Sequence, residues 1–326
     1  GVVWSTGFNP DISLTTKTAQ GVPTGTGAFT SNITGLTPNT LYHVRAYATN
    51  AVTTSYGGEV TFTSYLASTV TTQAVDAITT TTAAGHGDIT VLGVPTPTQH
   101  GVVWGTAIDP TIALPTKTQQ GTAGAGAFTS TITGLTPGTL YHVRAYATNL
   151  AGTFYGEDVT FTALQAPTVT TAAVTGIGIN TATGNGNISS LGVPNPTEYG
   201  VVWGTALDPD VSFITRTEHG IPAGTGAFAS GITGLDPNTL YHVRAYATND
   251  AGTSYGTDVT FTTLPLAPTV TTQAVTGIGT TTASGNGNIT SLGVPNPTQY
   301  GVVWDIESNP TVALTTKTEQ GVPAGT

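Results

Sequence analysis

Short runs of alternating apolar and polar residues, separated by Gly, Pro, Asn and Asp, recur along the whole chain. Alternation with a period of two is typical of β-strands that bury one face, and no segment shows the spacing of an amphipathic helix. In the stretch that begins at Ala166, the pattern predicts strands A, B, C, E, F and G and a short strand before E. The predicted ranges are A 168–174, B 181–189, C 199–203, the short strand 211–217, E 227–233, F 241–249 and G 258–262.

The same pattern repeats with a period near 100 residues. The string Gly-Val-Val-Trp begins at residues 1, 101, 200 and 301, and Leu-Tyr-His-Val-Arg-Ala-Tyr-Ala-Thr-Asn begins at residues 41, 140 and 240. A period of this size is too long for a solenoid coil and matches an independently folded β-sandwich. The sequence therefore predicts an all-β chain, a tandem array of seven-stranded immunoglobulin-like sandwiches joined by short, stiff linkers.

Short linkers that follow the last strand of each module, two of them containing proline, set the predicted domain boundaries. We expect a partial module at 1–66 with strands C to G, complete modules at 67–165 and 166–266, and a partial module at 267–326 with strands A to C. The chain has no methionine, so we expect a fragment or a processed product. Two interpretations of the offset ends stay open: a window on a longer array, or chains that complete each other's half-modules by strand donation.

The alternation also predicts the core of each module. Strand C carries a tryptophan where immunoglobulin-like sandwiches bury one between their sheets, and the glycines of strand B are expected to make room for its indole. The tyrosine that opens strand F is expected to bond its hydroxyl to upstream backbone, as in a tyrosine corner. The predicted core residues are Trp4, Trp104, Trp203, Trp304, Tyr42, Tyr141 and Tyr241.

The segment Gly134–Asn149, Gly-Leu-Thr-Pro-Gly-Thr-Leu-Tyr-His-Val-Arg-Ala-Tyr-Ala-Thr-Asn, resembles the strand E–F signature of fibronectin type III modules. It is similar in particular to the Thr- and Gly-rich variants found in tandem in large bacterial surface and secreted proteins. The resemblance implies spacer, adhesion and structural roles outside the cell, and it supplies no catalytic residue. One feature departs from the family, whose core tryptophan is usually on strand B rather than C.

Composition excludes several classes of protein. Only 7% of residues are charged, and 7 basic against 17 acidic residues give a net charge of −10, which disfavours nucleic-acid binding. There is no cysteine for a disulfide or a thiolate metal site, and no apolar run is long enough to span a membrane. Thr makes up about a fifth of the chain, so solubility must come from hydroxyls and amides, or the surface must be covered.

Strand F presents an outward stripe of His, Arg and Tyr that is the main candidate site. Arg and Tyr are enriched at interfaces, which favours a binding or lateral-packing face. The alternative is a solvated sheet face, on which each Arg stacks on a Tyr and pairs with an acid of strand G, Glu59, Asp158 or Asp258. We favour the second interpretation for Arg and keep the interface open for His and Tyr. The stripe residues are His43, Arg45, Tyr47, His142, Arg144, Tyr146, His242, Arg244 and Tyr246.

Other motifs carry little chemistry. No His, Asp or Glu cluster has metal-ligand spacing within a module, the Asp208-Pro209-Asp210 string reads as an ordinary turn, and the Gly-rich strings lack the features of a phosphate loop. We therefore predict no catalytic residue, no cofactor and no metal. Three strings match the N-glycosylation sequon, Asn32-Ile33-Thr34, Asn187-Ile188-Ser189 and Asn288-Ile289-Thr290, although chance matches are expected where Thr and Ser are so frequent.

The sequence thus predicts a non-enzymatic, exported structural protein. Its modules in series are expected to form a rigid extracellular fibre, filament or stalk, possible partners being copies of itself, neighbouring modules and glycans. The alternative is an adhesin or carbohydrate-binding spacer of a large cell-surface protein.

Overall fold

The computed structural model describes residues 1–213 and 215–323, and every regular element in those ranges is a β-strand. The chain divides into two compact units, Gly1–Leu164 and Gln165–Thr326. The strands of the first unit are β1 (Val2–Ser5), β2 (Leu41–Thr49), β3 (Thr54–Tyr56), β4 (Val60–Thr63), β5 (Thr69–Asp76), β6 (Thr82–Val91), β7 (Gln99–Gly105), β8 (Gly126–Thr133), β9 (Leu140–Asn149), β10 (Gly152–Tyr155) and β11 (Val159–Thr162). Those of the second are β12 (Thr168–Thr175), β13 (Thr181–Ser190), β14 (Glu198–Gly204), β15 (Gly226–Thr233), β16 (Leu240–Asn249), β17 (Gly252–Tyr255), β18 (Val259–Thr262), β19 (Thr269–Thr276) and β20 (Ser284–Ser291).

Each unit contains one complete sandwich of two antiparallel sheets. In the second unit, one sheet has the order β12–β13–β15, which are strands A, B and E. The other places β14 (strand C) and the two halves of strand G, β17 and β18, beside β16 (strand F). In the first unit β5–β6–β8 repeat the first sheet, and β7, β10 and β11 around β9 repeat the second. The predicted tandem all-β sandwich fold is confirmed.

The predicted strands differ from the observed ones at two places. Strand G begins earlier than predicted, with β17, and the ladder breaks before β18. The short strand predicted at 211–217 is wrong for the described residues, since only Arg216 makes a bridge, to Val202 of strand C. Ile214 lies outside the described residues. The segment is nevertheless bonded to strand C by its backbone, since the Trp203 N–H donates to Thr215 O at 3.0 Å and the Thr217 N–H donates to Val201 O at 2.9 Å.

The structure agrees with the predicted burial of the tryptophans in the complete sandwiches. Trp104 and Trp203 are buried, as is Trp4 in the first copy of the repeat. The prediction is wrong for Trp304, which is 53% exposed. Trp203 belongs to a buried cluster with residues of strands F and G, and the described residues after 266 form no such strands.

The sequence predicted that the strand-B glycines make room for the indole, and this prediction is wrong. Other side chains lie beside these glycines. A Cβ on Gly184 would lie 3.0 Å from a Val201 methyl, and one on Gly186 would lie 2.7 Å from the Ala245 Cβ. Register explains the difference, because Gly186 lies opposite Phe228, whose ring fills the space beside the glycine. These glycines therefore let the two sheets approach closely around the Phe228 ring.

The predicted tyrosine corner is present in all three copies. Each corner tyrosine is buried, and its hydroxyl accepts a hydrogen bond from the N–H five residues earlier. This bond fixes the turn between strands E and F to the start of strand F. The tyrosines are Tyr42, Tyr141 and Tyr241, with N–O distances of 2.9, 3.0 and 3.0 Å to Thr37, Thr136 and Asp236.

A threonine of strand A joins the two sheets where strand G is interrupted. The Gly256 N–H donates to Ala245 O at 2.8 Å, but the Ala245 N–H has no ladder partner in strand G. It donates instead to the Thr171 hydroxyl at 3.0 Å, and the pair Ala145–Thr72 repeats this bond at 2.9 Å. Because a buried N–H needs a partner, this hydroxyl completes strand F and links the sheets.

The residues that flank the complete sandwiches form only part of each module. Residues 1–63 form a sheet of β1, β2, β3 and β4, and the predicted strand E of that copy is not a strand. Described residues 267–323 form the hairpin β19–β20, and strand C of that copy is reduced to single bridges at Tyr300 and Val303. In the complete sandwiches, strand E pairs with strand B and strand C pairs with strand F. Within the described residues, strand E of the first copy has no strand B beside it, and strand C of the last copy has no strand F.

The linker residues are bonded to the module that follows them. Leu66 pairs with Val94, and Gln165 pairs with Val193, each by two backbone hydrogen bonds. The side chain of Asn149, at the end of strand F, donates to Leu66 O at 3.0 Å and reinforces the first of these pairs. The three predicted boundaries between the four modules remain a prediction, and the observed division lies one residue before the predicted boundary at 165/166.

Replacing Thr171 with valine is expected to destabilise the sandwich by about 1–3 kcal/mol, because the buried Ala245 N–H loses its acceptor while the side-chain volume is kept. Hydrogen exchange of the strand-F peptide should become faster and the urea midpoint should fall. Thr170→Val, on the exposed face of the same strand, is the matched control. Equal effects of the two variants would contradict the role given to the Thr171 hydroxyl.

Candidate interaction face

The predicted stripe lies on the outer face of the sheet of strands C, F and G, but the connection between strands C and E covers that face. Side chains of strands F and G bond to this connection in each copy of the repeat. In the first unit the bonded residues fall between 109 and 118, and in the second between 208 and 217. The stripe is therefore largely an internal surface.

Each stripe histidine bonds to an acid of strand G. His142 Nδ1 lies 2.9 Å from Asp158 Oδ2, and His242 Nδ1 lies 2.8 Å from Asp258 Oδ2. The same Asp258 oxygen accepts the Asp208 N–H at 2.8 Å. Asp208 has a φ of 52°, a left-handed conformation that Asp and Asn tolerate better than most residues. The His–Asp pair thus holds the turn that follows strand C.

The first copy uses glutamate for the same purpose. His43 Nδ1 lies 2.7 Å from Glu59 Oε1, and the Asn9 N–H donates to the other carboxylate oxygen. The Asn9 N–H first, and then His43, hold the pKa of Glu59 below its usual value. A lowered pKa means that the carboxylate contributes stability above its unfolded-state pKa, and that this contribution is lost as the pH falls through the folded-state pKa.

The stripe arginines stack on tyrosines, as predicted. The Arg144 guanidinium carbon lies 4.7 Å from the centre of the Tyr155 ring, and its Nε donates to Gly156 O at 2.9 Å. The predicted pairing of Arg with the strand-G acid is wrong, because that acid bonds to histidine. The nearest carboxylate to Arg144 is instead that of Asp109, at 3.5 Å. The pattern repeats at Arg45 over Tyr56 and at Arg244 over Tyr255.

The stripe tyrosines of the complete sandwiches are buried, which contradicts their predicted exposure. Tyr146 is 1% and Tyr246 is 0% exposed, and the Tyr146 hydroxyl donates to Thr118 O at 2.6 Å. Tyr146 lies opposite Gly101 on strand C. A Cβ on Gly101 would lie 2.5 Å from Thr118 O, so glycine allows the connection to pass close to the sheet there. The partly exposed Tyr47 makes the same bond, to Thr18 O at 2.5 Å.

The third copy adds charges around its buried tyrosine. The Tyr246 hydroxyl lies 2.8 Å from Thr217 O and also bonds the Glu198 carboxylate, which is 4.0 Å from Arg216 Nε. Burial first, and then the bond to Glu198, raise the pKa of Tyr246 above its ordinary value. Burial likewise raises the pKa of Tyr146.

The Asp208-Pro209-Asp210 string is a turn, as the sequence indicated. Asp210 Oδ1 accepts the Ser212 N–H at 2.8 Å and the Ser212 hydroxyl at 2.5 Å. The two bonds from Ser212, the hydroxyl first, lower the pKa of Asp210. This geometry is that of an Asx turn.

The described residues, 1–213 and 215–323, offer neither a cluster of metal ligands nor a membrane-spanning helix. No group of three or more His, Cys, Asp or Glu side chains in those ranges is placed to hold a metal ion. The part of the chain that the structure describes contains no helix long and apolar enough to cross a membrane.

A repeated apolar side chain was missed by the sequence reasoning. Phe8, Ile108 and Leu207 are 81%, 72% and 71% exposed, and each precedes the left-handed Asn or Asp of the turn after strand C. A period of about 100 residues was the signal that would have revealed them. Because the acid of strand G holds this turn, the apolar side chain is presented at a fixed point of these three copies, whereas the fourth copy has Ser308 before Asn309.

The outer face of the sheet of strands A, B and E has a different character. In β12, β13 and β15 its residues are Thr, Ser, Asn, Ala and Gly, and none is charged. The equivalent face of the first unit carries Asp76, His86 and Asp88, with His86 Nε2 bonded to Asp76 at 2.9 Å. This face remains open to solvent, unlike the stripe.

The strand order A–B–E and C–F–G, with the corner tyrosine, is that of tandem fibronectin type III-like sandwiches. No family model and no curated protein matches the chain. Among solved structures, the FN1–FN3 domains of chicken CNTN1 are similar at 15% identity and a TM-score of 0.30, with 71% of this chain and 78% of that chain covered. Domains A168–A170 of titin are similar at 17% identity and a TM-score of 0.36, with the same coverage.

The raised pKa of Tyr246 predicts how the native chain responds to alkali. A tyrosine whose folded-state pKa is raised favours folding below its unfolded-state value of about 10, and this stability is lost as the pH rises through the folded-state pKa. In a phenolate absorbance titration, Tyr246→Phe should leave the amplitude near pH ~10 unchanged in the native chain. In denaturant the same substitution should remove one of 12 tyrosine contributions. An equal loss in both states would contradict the burial of this hydroxyl.

Removing the acid of strand G should release the turn after strand C. Asp258→Ala leaves the Asp208 N–H and His242 without their acceptor, so the segment 205–213 should exchange its amide hydrogens faster. The expected loss of stability is about 1 kcal/mol, since the turn is largely solvated. Asp250→Ala, at the exposed turn between strands F and G, removes the same charge and should leave that segment unchanged. Unchanged exchange in Asp258→Ala would show that the turn is held by other contacts.

Proposed function

We propose that the chain is a non-enzymatic structural repeat protein whose sandwich modules in series form a rigid extracellular fibre, filament or stalk. The tandem repetition of one sandwich supports a structural repeat module. The absence of cysteine and methionine from the sequence suits a chain exposed to oxidants outside a cell. The bacterial surface role follows from the resemblance of the segment 134–149 and is part of the proposal.

The observation that carries the proposal is the length of the link between the two complete sandwiches. The Leu164 N–H donates to Thr79 O at 3.0 Å, within the first unit. The next residue, Gln165, donates its N–H to Val193 O at 2.8 Å, within the second unit. Consecutive residues thus belong to different units, and no residue between them is left as a flexible linker. A link this short supports the proposed rigid fibre or stalk.

The internal use of the stripe also supports a mechanical role. Its histidines, arginines and tyrosines bond to residues of their own copy, so they stiffen the module rather than present a ligand site. A pinned connection reduces the local opening through which modules yield.

Lengthening the link is expected to broaden the distribution of distances between the units. The chain has no cysteine, so dyes on Thr131→Cys and Thr233→Cys, both exposed positions, report this distance by single-molecule energy transfer. The native link should give a narrow distribution, and Gly-Ser-Gly inserted between Leu164 and Gln165 should widen it.

The same insertion between Gly224 and Thr225, in an exposed loop of one sandwich, is the matched control and should leave the distribution narrow. A native distribution as wide as that of the linker variant would overturn the rigid-fibre proposal. Specific binding of the chain to a glycan array would then favour the adhesin alternative.

A further inference from the structure

We infer that Asn187, Asn288 and Asn32 are acceptor sites for asparagine-linked oligosaccharides, the first two on the outer face of strand B and the third in an exposed segment outside the strands. All three match the acceptor sequon, with isoleucine as the middle residue. In strand B, Ile188 is buried, so Asn187 and Ser189 both lie on the outer face. The inference rests on the proposed export of the chain, because such glycans are attached during secretion.

The hydrogen bonding of strand B distinguishes the sequon asparagines from their neighbours. Asn185, on the same face, donates its amide to Ala173 O at 2.8 Å and to the Thr175 hydroxyl at 3.0 Å. Asn286 repeats these bonds in β20. Asn185 and Asn286 lie outside sequons, and their side chains hold the irregular part of strand A.

The amide of Asn187, by contrast, makes no side-chain hydrogen bond within residues 1–213 and 215–323. The same holds in that part of the chain for Asn288 and Asn32, both of which are exposed. An amide nitrogen that holds no structural bond is available to carry a sugar without loss to the fold. Asparagines of one strand thus divide into a bonded set outside sequons and an unbonded set within them.

The surroundings of Asn187 leave room for a sugar. Its cross-strand partners are Thr170 on strand A and Ala227 on strand E, and neither projects far from the sheet. This face also carries no charge in the second unit, whereas the charged stripe lies on the other sheet. A neutral, flat sheet face in a chain with 7% charged residues is the surface that most needs a soluble cover.

The chemistry is a transfer from a lipid-linked donor. The side-chain nitrogen of Asn187 forms a bond to the anomeric carbon of an oligosaccharide carried on a lipid diphosphate. The bond from that carbon to the diphosphate oxygen breaks, the electron pair leaves with the lipid diphosphate, and the amide proton passes to a base of the transferase. The hydroxyl two residues later, Ser189, belongs to the acceptor motif that the transferase reads.

The first test is peptide mapping of the protein purified from the organism that encodes it, before and after an amidase that releases asparagine-linked glycans. We expect discrete mass increments on the peptides with Asn32, Asn187 and Asn288, which the amidase removes, leaving aspartate. Asn195 and Asn296, each followed by Pro and then Thr, are internal controls and should be unmodified.

The second test moves the site, in the full chain secreted by a host that attaches such glycans. Ser189→Ala should abolish the increment at Asn187 without changing that residue. Asp88→Asn should create a new increment in the first unit, because Asp88 is the equivalent residue and is followed by Ile89 and Thr90. Mass increments that neither substitution changes would overturn the assignment of these glycan sites.

The outcomes separate this inference from the proposed function. An exported protein that is bare at all three asparagines overturns the glycan sites and leaves the structural role in place. A protein that is retained inside the cell overturns both.

Discussion

The structure depends on a few side-chain oxygens that accept hydrogen bonds from backbone N–H groups that no strand pairs. The Thr171 hydroxyl accepts a hydrogen bond from the Ala245 N–H, and the Asp258 carboxylate accepts one from the Asp208 N–H. The Tyr255 hydroxyl accepts the Val211 N–H in the same way. The long connection between strands C and E also bonds to strand C through its backbone, and the side chains of strands F and G provide acceptors for N–H groups that those bonds leave unpaired.

This constraint explains where the scarce charges are. In residues 67–165 the charged residues are Asp76, Asp88, Asp109, Lys117, Arg144, Glu157 and Asp158. Four of these seven, the residues at 109, 117, 144 and 158, hold the connection or each other. The remaining surface relies on threonine and asparagine. In this module, therefore, most of the charged residues have a structural role.

The strands were predictable from the sequence because their signal is local. Alternation in strand B and the corner tyrosines placed β13 and β16 within a residue of their observed bounds. The path of the connection was not predictable, because it has no periodicity and is fixed by distant partners. Tyr246, for example, bonds to Thr217, 29 residues earlier, and is buried on the face that alternation marks as outward. The surroundings of the strand-B glycines were not predictable for a similar reason, since Gly186 lies opposite Phe228 of strand E, which is distant in the sequence.

The attachment of Gln165 to Val193 has a consequence for synthesis on the ribosome. Chains fold from the N-terminus as they emerge, one domain at a time. The sandwich that ends at Leu164 has all its strands before the next begins, yet its outgoing link acquires its partners only after residue 193 appears. The link that follows each module is thus expected to stay unpaired until the next module has been synthesised far enough to bind it. We therefore expect neighbouring modules of nearly the same sequence to complete their sheets one after another during synthesis.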